Sequence, residues 1–312
     1  MVDFNKRIEA LPEEKRKLLA RLVSKEAETR GTVAHADEAA RPPEHALREE
    51  YDVVVIGGGL AGLTLSIQLR GALPNANILV INNARYPVPE AAHKVGESSV
   101  EIGAHYYDTV LGFKEHLEDR QLRKMGLRFF SPSDGNRDLS KRIELGPFEN
   151  HVLPIPSYQI DRGRFENMLA VHAGRKDVGV MDECRVTGVT LEDNGSPHTV
   201  QFTRGEQLQS VKVRWVIDAS GRAGLLRRKL GLLKPSEHNV NAAWMRIKLP
   251  IDIEKFSDDP SFRKRMLTGF RQYSTNHLMG RGYWVWLIRL ASGSTSVGIV
   301  ADPRLHPLAG YN

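Results

Sequence analysis

Gly57-Gly58-Gly59-Leu60-Ala61-Gly62 spaces its glycines as G-x-G-x-x-G, and the chemistry such a segment does is to receive a pyrophosphate. Gly57 permits the tight turn, Gly59 lets the backbone approach phosphate, and Gly62 allows a helix to pack closely on a strand. Leu60 and Ala61 open that helix, whose N-terminal N–H groups and dipole favour an anion. About 20 residues on, an acidic side chain ordinarily takes the ribose hydroxyls, but Asn82 and Asn83 stand here. The amide oxygen of Asn82 can accept from a hydroxyl without the strength of a carboxylate. Ribose binding is therefore expected to be weaker than usual, or to come from another group such as Arg85; NAD and FAD both stay open. Other chemistries lack their residues. Gly293-Ser294-Thr295-Ser296-Val297-Gly298 is one residue too long for the G-x-S-x-G turn of a serine hydrolase. His93, His105 and His116 stand apart with no H-E-x-x-H, and the single cysteine, Cys184, excludes an internal disulfide and a multi-cysteine site. No metal is expected.

The elements that must position the glycines read clearly. Asp52 to Ile56 is an aliphatic run of the kind that makes a strand buried on both faces. Leu63, Leu65, Ile67 and Leu69 continue the helix, and Ile78 to Ile81 is a second strand. Asp161 to Leu169 has the caps and spacing of a helix, and Val211 to Ile217 is a strand ending in Asp218-Ala219-Ser220-Gly221-Arg222. Upstream, Pro12-Glu13-Glu14 suits a first helical turn, and Leu18, Leu19, Leu22 and Val23 share a face. The spacing predicts an amphipathic helix within residues 1 to 30, a linker from 31 to 50, and a fold beginning at Tyr51. A dinucleotide-binding region is expected over 51 to 235, open to being discontinuous, and a β-containing region over 236 to 312.

A chain of 312 residues has room for two domains at about 150 residues each. With 41% hydrophobic and 26% charged residues it has an ordinary globular composition. No apolar run approaches the roughly 18 residues of a membrane span, and Met1 to Lys15 lacks the apolar core of a secretion signal. Together with the lone cysteine this favours a reducing cytoplasm. The net charge is +6; residues 1 to 50 hold 10 Lys and Arg against 11 Asp and Glu, so the cationic excess lies beyond them. It suits either an anionic ligand or a mixed soluble surface, since the basic residues are spread out apart from Arg222, Arg227, Arg228 and Lys229. No nucleic-acid-binding signature is present.

The glycine motif, the Asp161-Arg162-Gly163-Arg164-Phe165 segment and the D-A-S-G turn, in that order, resemble the glutathione-reductase-type (Rossmann-like) FAD-binding α/β fold. The resemblance implies FAD as the dinucleotide, with Arg162 near its phosphates and Asp218 and Gly221 in a cofactor-binding turn. Within that fold the chain is similar to flavin-dependent halogenases, the family of tryptophan halogenase. Lys94-Val95-Gly96-Glu97-Ser98-Ser99-Val100 resembles the segment that borders the flavin ring. Arg123-Lys124-Met125-Gly126-Leu127-Arg128-Phe129 resembles the stretch carrying the catalytic lysine, which places that role on Lys124. Gly282-Tyr283-Trp284-Val285-Trp286-Leu287-Ile288-Arg289 resembles the W-x-W-x-I-P motif, with Arg289 where the family has proline.

What this implies is a reaction in which reduced FAD, delivered by a separate flavin reductase, and oxygen convert chloride or bromide into hypohalous acid. The lysine hydrogen-bonds that oxidant or is halogenated by it, and an aromatic or carrier-tethered precursor attacks the halogen. Glu97, Ser98 and Ser99 would border the flavin, and Trp284 and Trp286 would keep substrate from it. By spacing alone, Lys124 also suits a solvated helix face with Arg120, Arg123 and Arg128, the tryptophans suit a strand core, and Gly96 to Ser99 suits a helix start. A FAD monooxygenase shares every FAD motif and is the rival enzyme; a non-catalytic remnant that binds a carrier protein is the rival of another kind. Leu11 to Leu19 resembles short helices at the ends of nonribosomal peptide synthetase modules, which favours a carrier-bound substrate. Family members continue past the W-x-W strand to a D-P-x-x-S-x-G segment that is absent after Gly298, so the chain is expected to be a truncated member.

Overall fold

A computed structural model describes residues 13, 16, 17, 36–92, 94–133, 138–147, 155–266 and 269–307. Glu13, Arg16 and Lys17 are helical, with Lys17 paired to Glu13 at 2.6 Å; the rest of the expected N-terminal helix lies outside the described residues. The strands among the described residues are β1 (Glu50–Ile56), β2 (Ile78–Ile81), β3 (Leu122–Lys124), β4 (Leu127–Ser131), β5 (Ile143–Leu145), β6 (Ser157–Gln159), β7 (Gly179–Met181), β8 (Cys184–Thr190), β9 (His198–Arg204), β10 (Gln207–Asp218), β11 (Asn241–Ile247), β12 (Thr275–Gly280), β13 (Tyr283–Arg289) and β14 (Thr295–Ala301). They form two units. One takes described residues of 34–92 with Arg162–Pro235; the other takes those of 93–161 and of 236–312. Residues 93 to 161 thus group with the C-terminal β region, and the stretch expected as a dinucleotide-binding region, open to being discontinuous, is divided there.

The first unit is built on a sheet of order β7-β2-β1-β10-β9-β8. β1 is apolar from Val53 to Ile56 and buried there, with β2 and β10 paired in parallel on its two edges. β10 does two jobs. Its first half pairs antiparallel with β9, from Gln207 opposite Arg204 to Val213 opposite His198, and its second half runs parallel to β1, ending with Asp218 opposite Ile56. The core joins Val54, Ile56, Leu79, Phe202, Val211 and Val213, each worth about 1.5–3 kcal/mol when fully buried. Helices Leu60–Ala72 and Arg162–Arg175 pack on each other. The stretch expected as a linker is fastened over its described part: Arg175 donates to both oxygens of Asp37 at 2.7 and 2.9 Å, Arg41 donates to Asp182 at 2.7 Å, and the His45 ring lies 2.9 Å from the Tyr51 hydroxyl.

The second unit holds a sheet of order β11-β14-β13-β12-β4-β5 and a two-stranded piece, β3 with β6. All neighbours in the larger sheet are antiparallel except β12 and β4. Strand alternation gives it two faces of different character. Phe130, Leu287, Ile253 and Phe262 form an apolar core on one. Phe129, His277, Trp284 and Trp286 occupy the other, all half-buried.

Candidate functional site

In the first unit the glycine turn sits where β1 ends. Gly57 has φ 111°, and a Cβ on it would strike the Ala219 carbonyl, so this turn and the Asp218–Gly221 turn press directly together. A Cβ on Gly62 would strike the Gly57 carbonyl, which accounts for the third glycine by helix-on-turn packing. Gly59 differs from both. Its backbone is extended (φ −81°, ψ −174°) and a Cβ there would meet no protein atom within 4 Å. Neither conformation nor packing asks for glycine at 59, and the open space beside it could admit a ligand to the backbone. Helix Leu60–Ala72 starts there with no side-chain cap, leaving N–H groups and dipole for an anion. The residues present fit a dinucleotide phosphate.

The side chains around this turn hold it in place. Asn82 Oδ1 accepts from Gly58 N–H at 3.2 Å and its Nδ2 donates to Ala84 O at 2.9 Å, so the asparagine at the end of β2 braces the turn. The Tyr86 hydroxyl donates to the Gly58 carbonyl, and its N–H to Asp182 at 2.9 Å; burial, helped by the Glu166 and Asp182 carboxylates, raises its pKa and keeps it a donor. Arg85 is exposed, with Glu183 at 3.9 Å. The Asp218 carboxylate accepts from Ser220 N–H and hydroxyl and from Leu226 N–H at 2.8 Å. Burial pushes it up, but these bonds outweigh burial and hold it below the ordinary range. Gly221 opens the next short turn, exposed to solvent. Arg162 folds back onto Glu166, one helical turn along, at 2.5 Å. Tyr86 and Asp182 carried no sequence signal.

In the second unit the structure brings together two segments about which the sequence could say only that each resembled a motif. Lys124 ends β3, opposite Ser157 of β6, is 5% exposed, and donates to the Ser99 carbonyl at 2.6 Å. Burial lowers its pKa from the ordinary value, with Glu101 opposing. Residues 97 to 99 run extended along β6. Ile160 N–H donates to Glu97 O at 2.6 Å, Ser98 bridges to Gln159, and Ser99 exchanges bonds with Tyr158 at 2.8 and 2.9 Å. The helix beside them starts only at Glu101, so the helix-start alternative does not describe 96 to 99. Nor does a solvated helix face describe Lys124. Arg128 is fully buried in β4, donating to Glu144 at 2.6 Å, and Arg271 donates to both oxygens of Glu144 at 2.8 and 2.9 Å and to Glu254 at 2.8 Å.

Several ties fasten this segment to the larger sheet and to the turn ahead of β12. Met125 N–H donates to Tyr273 O at 2.8 Å, the Ser98 and Thr275 hydroxyls lie 2.8 Å apart, and Arg246 Nε lies 4.0 Å from Glu97. On the same sheet face, His277 sits opposite Trp286 and stacks on Phe129 with centroids 4.9 Å apart. Trp286 donates to the Ser296 hydroxyl at 3.1 Å and lies across Gly298, where a Cβ would strike its ring. Trp284 faces Met279 and Val300. Burial lowers the His277 pKa against hydrogen bonds with the Arg128 and Thr275 backbones, and the Lys124 cation adds to the lowering. Arg289 keeps β13 paired opposite Thr295, where proline would remove a donor. Arg246, Thr275 and His277 escaped the sequence reading because no local pattern marks them. Asp161 stood inside a quoted motif, but only its helix was read.

A family model described as FAD binding domain matches residues 50–272. The flavin-dependent halogenase chlA of Dictyostelium discoideum is 27% identical over 277 residues, covering 80% of this chain and 44% of that protein. A 1H-pyrrole-2-carbonyl-(peptidyl-carrier protein) chlorinase of Pseudomonas fluorescens is 27% identical over 276 residues, covering 82% of this chain and 56% of the relative. Among solved structures, halogenase PltM in complex with phloroglucinol and FAD gives a TM-score of 0.65 at 18% identity, over 82% of this chain and 52% of the other. That likeness shows the fold, the glutathione-reductase-type FAD-binding fold expected from the motifs. The chain spans about half the length of the curated relatives it matches.

Proposed function

The chain belongs to the FAD binding domain family, and from that premise we propose that it acts as a FAD-dependent halogenase on an aromatic or carrier-tethered natural-product precursor. Bound reduced FAD supplies the electrons that, with oxygen and chloride or bromide, yield hypohalous acid. The Gly59 backbone and the helix after it hold the diphosphate. The observation that carries the reading is the buried Lys124 ammonium held on the Ser99 carbonyl at 2.6 Å. An ammonium in an apolar, water-poor setting donates to the oxygen of the oxidant and polarises it as it departs. Phe129, His277, Trp284 and Trp286 offer an aromatic surface that excludes water and admits planar substrates.

The partners that go with this reading are a flavin reductase and, for a tethered substrate, a carrier protein, with the cytoplasm as the setting. The named carrier-protein substrate of the Pseudomonas relative supports the tethered case. Of the N-terminal helix expected to dock there, only Glu13, Arg16 and Lys17 are among the described residues. Among the described residues no helix is long and apolar enough to cross a membrane. Arg289 favours the second reading, oxygenation, because it puts a charge on the strand that carries the tryptophans. The test supplies FAD, an NADH-dependent flavin reductase, oxygen, halide, and phenols, pyrroles or indoles. Halogenated product, lost in Lys124→Ala, is expected; oxygen insertion without halogen that survives Lys124→Ala would give the reaction to the monooxygenase. Protein that takes up no FAD would leave the carrier-binding remnant.

A further inference from the structure

β6 and the residues that follow it serve as a rail for both functional segments of the second unit. Residues 97 to 99 bond to Tyr158, Gln159 and Ile160 on it, and β3 pairs with it so that Lys124 stands opposite Ser157. The rail ends at Asp161, which is fully buried. Its N–H donates to Gln121 Oε1 at 2.7 Å, directly ahead of β3. Its carboxylate takes Ser292 N–H at 2.9 Å, the Ser292 hydroxyl at 3.2 Å, and the Arg246 guanidinium. Arg246 stands on β11 of the larger sheet with its side chain 4% exposed. It also donates to the Ser292 hydroxyl at 2.9 Å and reaches toward Glu97 at 4.0 Å. One guanidinium therefore meets the end of the rail and the first residue of the segment lying along it.

We infer that Arg246 is a positioning residue for Lys124: by clamping Asp161 and Glu97 it fixes the Ser99 carbonyl relative to the lysine ammonium. The inference rests on the reading of Lys124 as the lysine of the reaction. A buried ion pair adds little net stability compared with well-packed apolar side chains of the same volume. What it adds is orientation, since a planar fork with fixed donors accepts one arrangement of a carboxylate and its neighbours. Other ties, among them Ser98 to Thr275, Met125 to Tyr273 and Ser274 to Met125, hold the strand pair to the sheet without reaching Asp161. Losing Arg246 should therefore loosen the rail and leave the sheet folded.

The test reads the lysine itself. Wild type, Arg246→Met and Arg246→Lys are acetylated with limiting acetic anhydride across the alkaline range, and Lys124 is compared with the exposed Lys229 in each protein by peptide mass spectrometry. In wild type Lys124 reacts slowly. In Arg246→Met its rate relative to Lys229 rises about tenfold because the loosened rail lets reagent reach the buried amine, and Arg246→Lys, which keeps the charge without the fork, lies between. Asp161→Asn loosens the same clamp from the other side and serves if Arg246→Met does not fold. An unchanged Lys124 to Lys229 ratio in a variant with native circular dichroism overturns the inference. Halogenation by Lys124→Met is measured separately: activity there removes the premise about Lys124, whereas the labelling ratio reports on Arg246 alone.

Discussion

The two units build their sites from different materials. In the first, the groups proposed to meet a phosphate are backbone N–H groups, and the side chains around them, Asn82, Tyr86 and Asp218, brace turns. In the second, the group proposed to react is one side chain, Lys124, and its setting is assembled from segments far apart in the chain. A backbone site depends on conformation and on the absence of Cβ atoms, so it is local in sequence and tolerant of its distant neighbours. A buried side-chain site depends on charge compensation by groups from several strands, and is exposed to change at each of them.

The sharpest way to break this contrast is at the lysine. Lys124→Met is expected to lower halogenation by about a thousandfold, or about 4 kcal/mol of transition-state stabilisation, and to leave the melting temperature unchanged or raised. The lowered pKa of Lys124 comes from burying its ammonium. That burial disfavours folding while the ammonium persists, and the penalty fades as pH rises through the folded-state value. If activity needs the ammonium, the rate falls over the same interval, below the ordinary lysine range. A rate that follows the ordinary lysine value would put the working group elsewhere.

Next in size is the ion cluster of Arg128, Glu144, Arg271 and Glu254. Removing one partner of a buried pair costs about 3 kcal/mol or more, so Glu144→Gln should lower the denaturation midpoint clearly. Burial pushes the Glu144 carboxyl up, but Arg271 and Arg128 outweigh burial and hold it below the ordinary value. Its contribution is therefore present above the ordinary carboxylate range and lost as pH falls through the folded-state value. Acid unfolding that is equally steep in Glu144→Gln would deny it that role.

The glycines test the other half. Gly57→Ala forces a side chain into φ 111° against Ala219 and is expected to cost about 3 kcal/mol of stability. Smallest of the set is Gly59→Ala, which should leave stability within about 0.5 kcal/mol of wild type while weakening FAD binding about tenfold, or about 1.4 kcal/mol. Fluorescence titration with FAD and thermal melts separate the two outcomes. If Gly59→Ala binds FAD as wild type does, the open space beside it is not where the phosphate lies.

Legibility followed the same division. β1, β2 and β10 lie where the aliphatic runs put them, within a few residues, because strands buried on both faces leave continuous apolar text. The glycine motif was readable for a related reason: Gly57 and Gly62 answer local steric demands, and Gly59 leaves open space beside the same turn. Lys124 was another matter. Spacing alone suited a solvated helix face, and only a resemblance singled the lysine out; its burial follows from β3 pairing with β6, more than thirty residues away. Arg128, one of three arginines near it in the chain, is fully buried with Glu144, a partner that only the β4 to β5 pairing supplies.

By itself the sequence determined the strand, turn and helix of the dinucleotide site, since those depend on residues in direct succession and on atoms that glycine lacks. Only the tertiary structure decided that Glu97 to Ser99 and Lys124 both lie along the segment from β6 to Asp161, that Arg246 and Asp161 close its end, and that Phe129, His277 and Trp286 line up across three strands. Those outcomes come from strand pairing over long loops. Register there is set by which faces can be buried together, and that is a property of the assembled sheet.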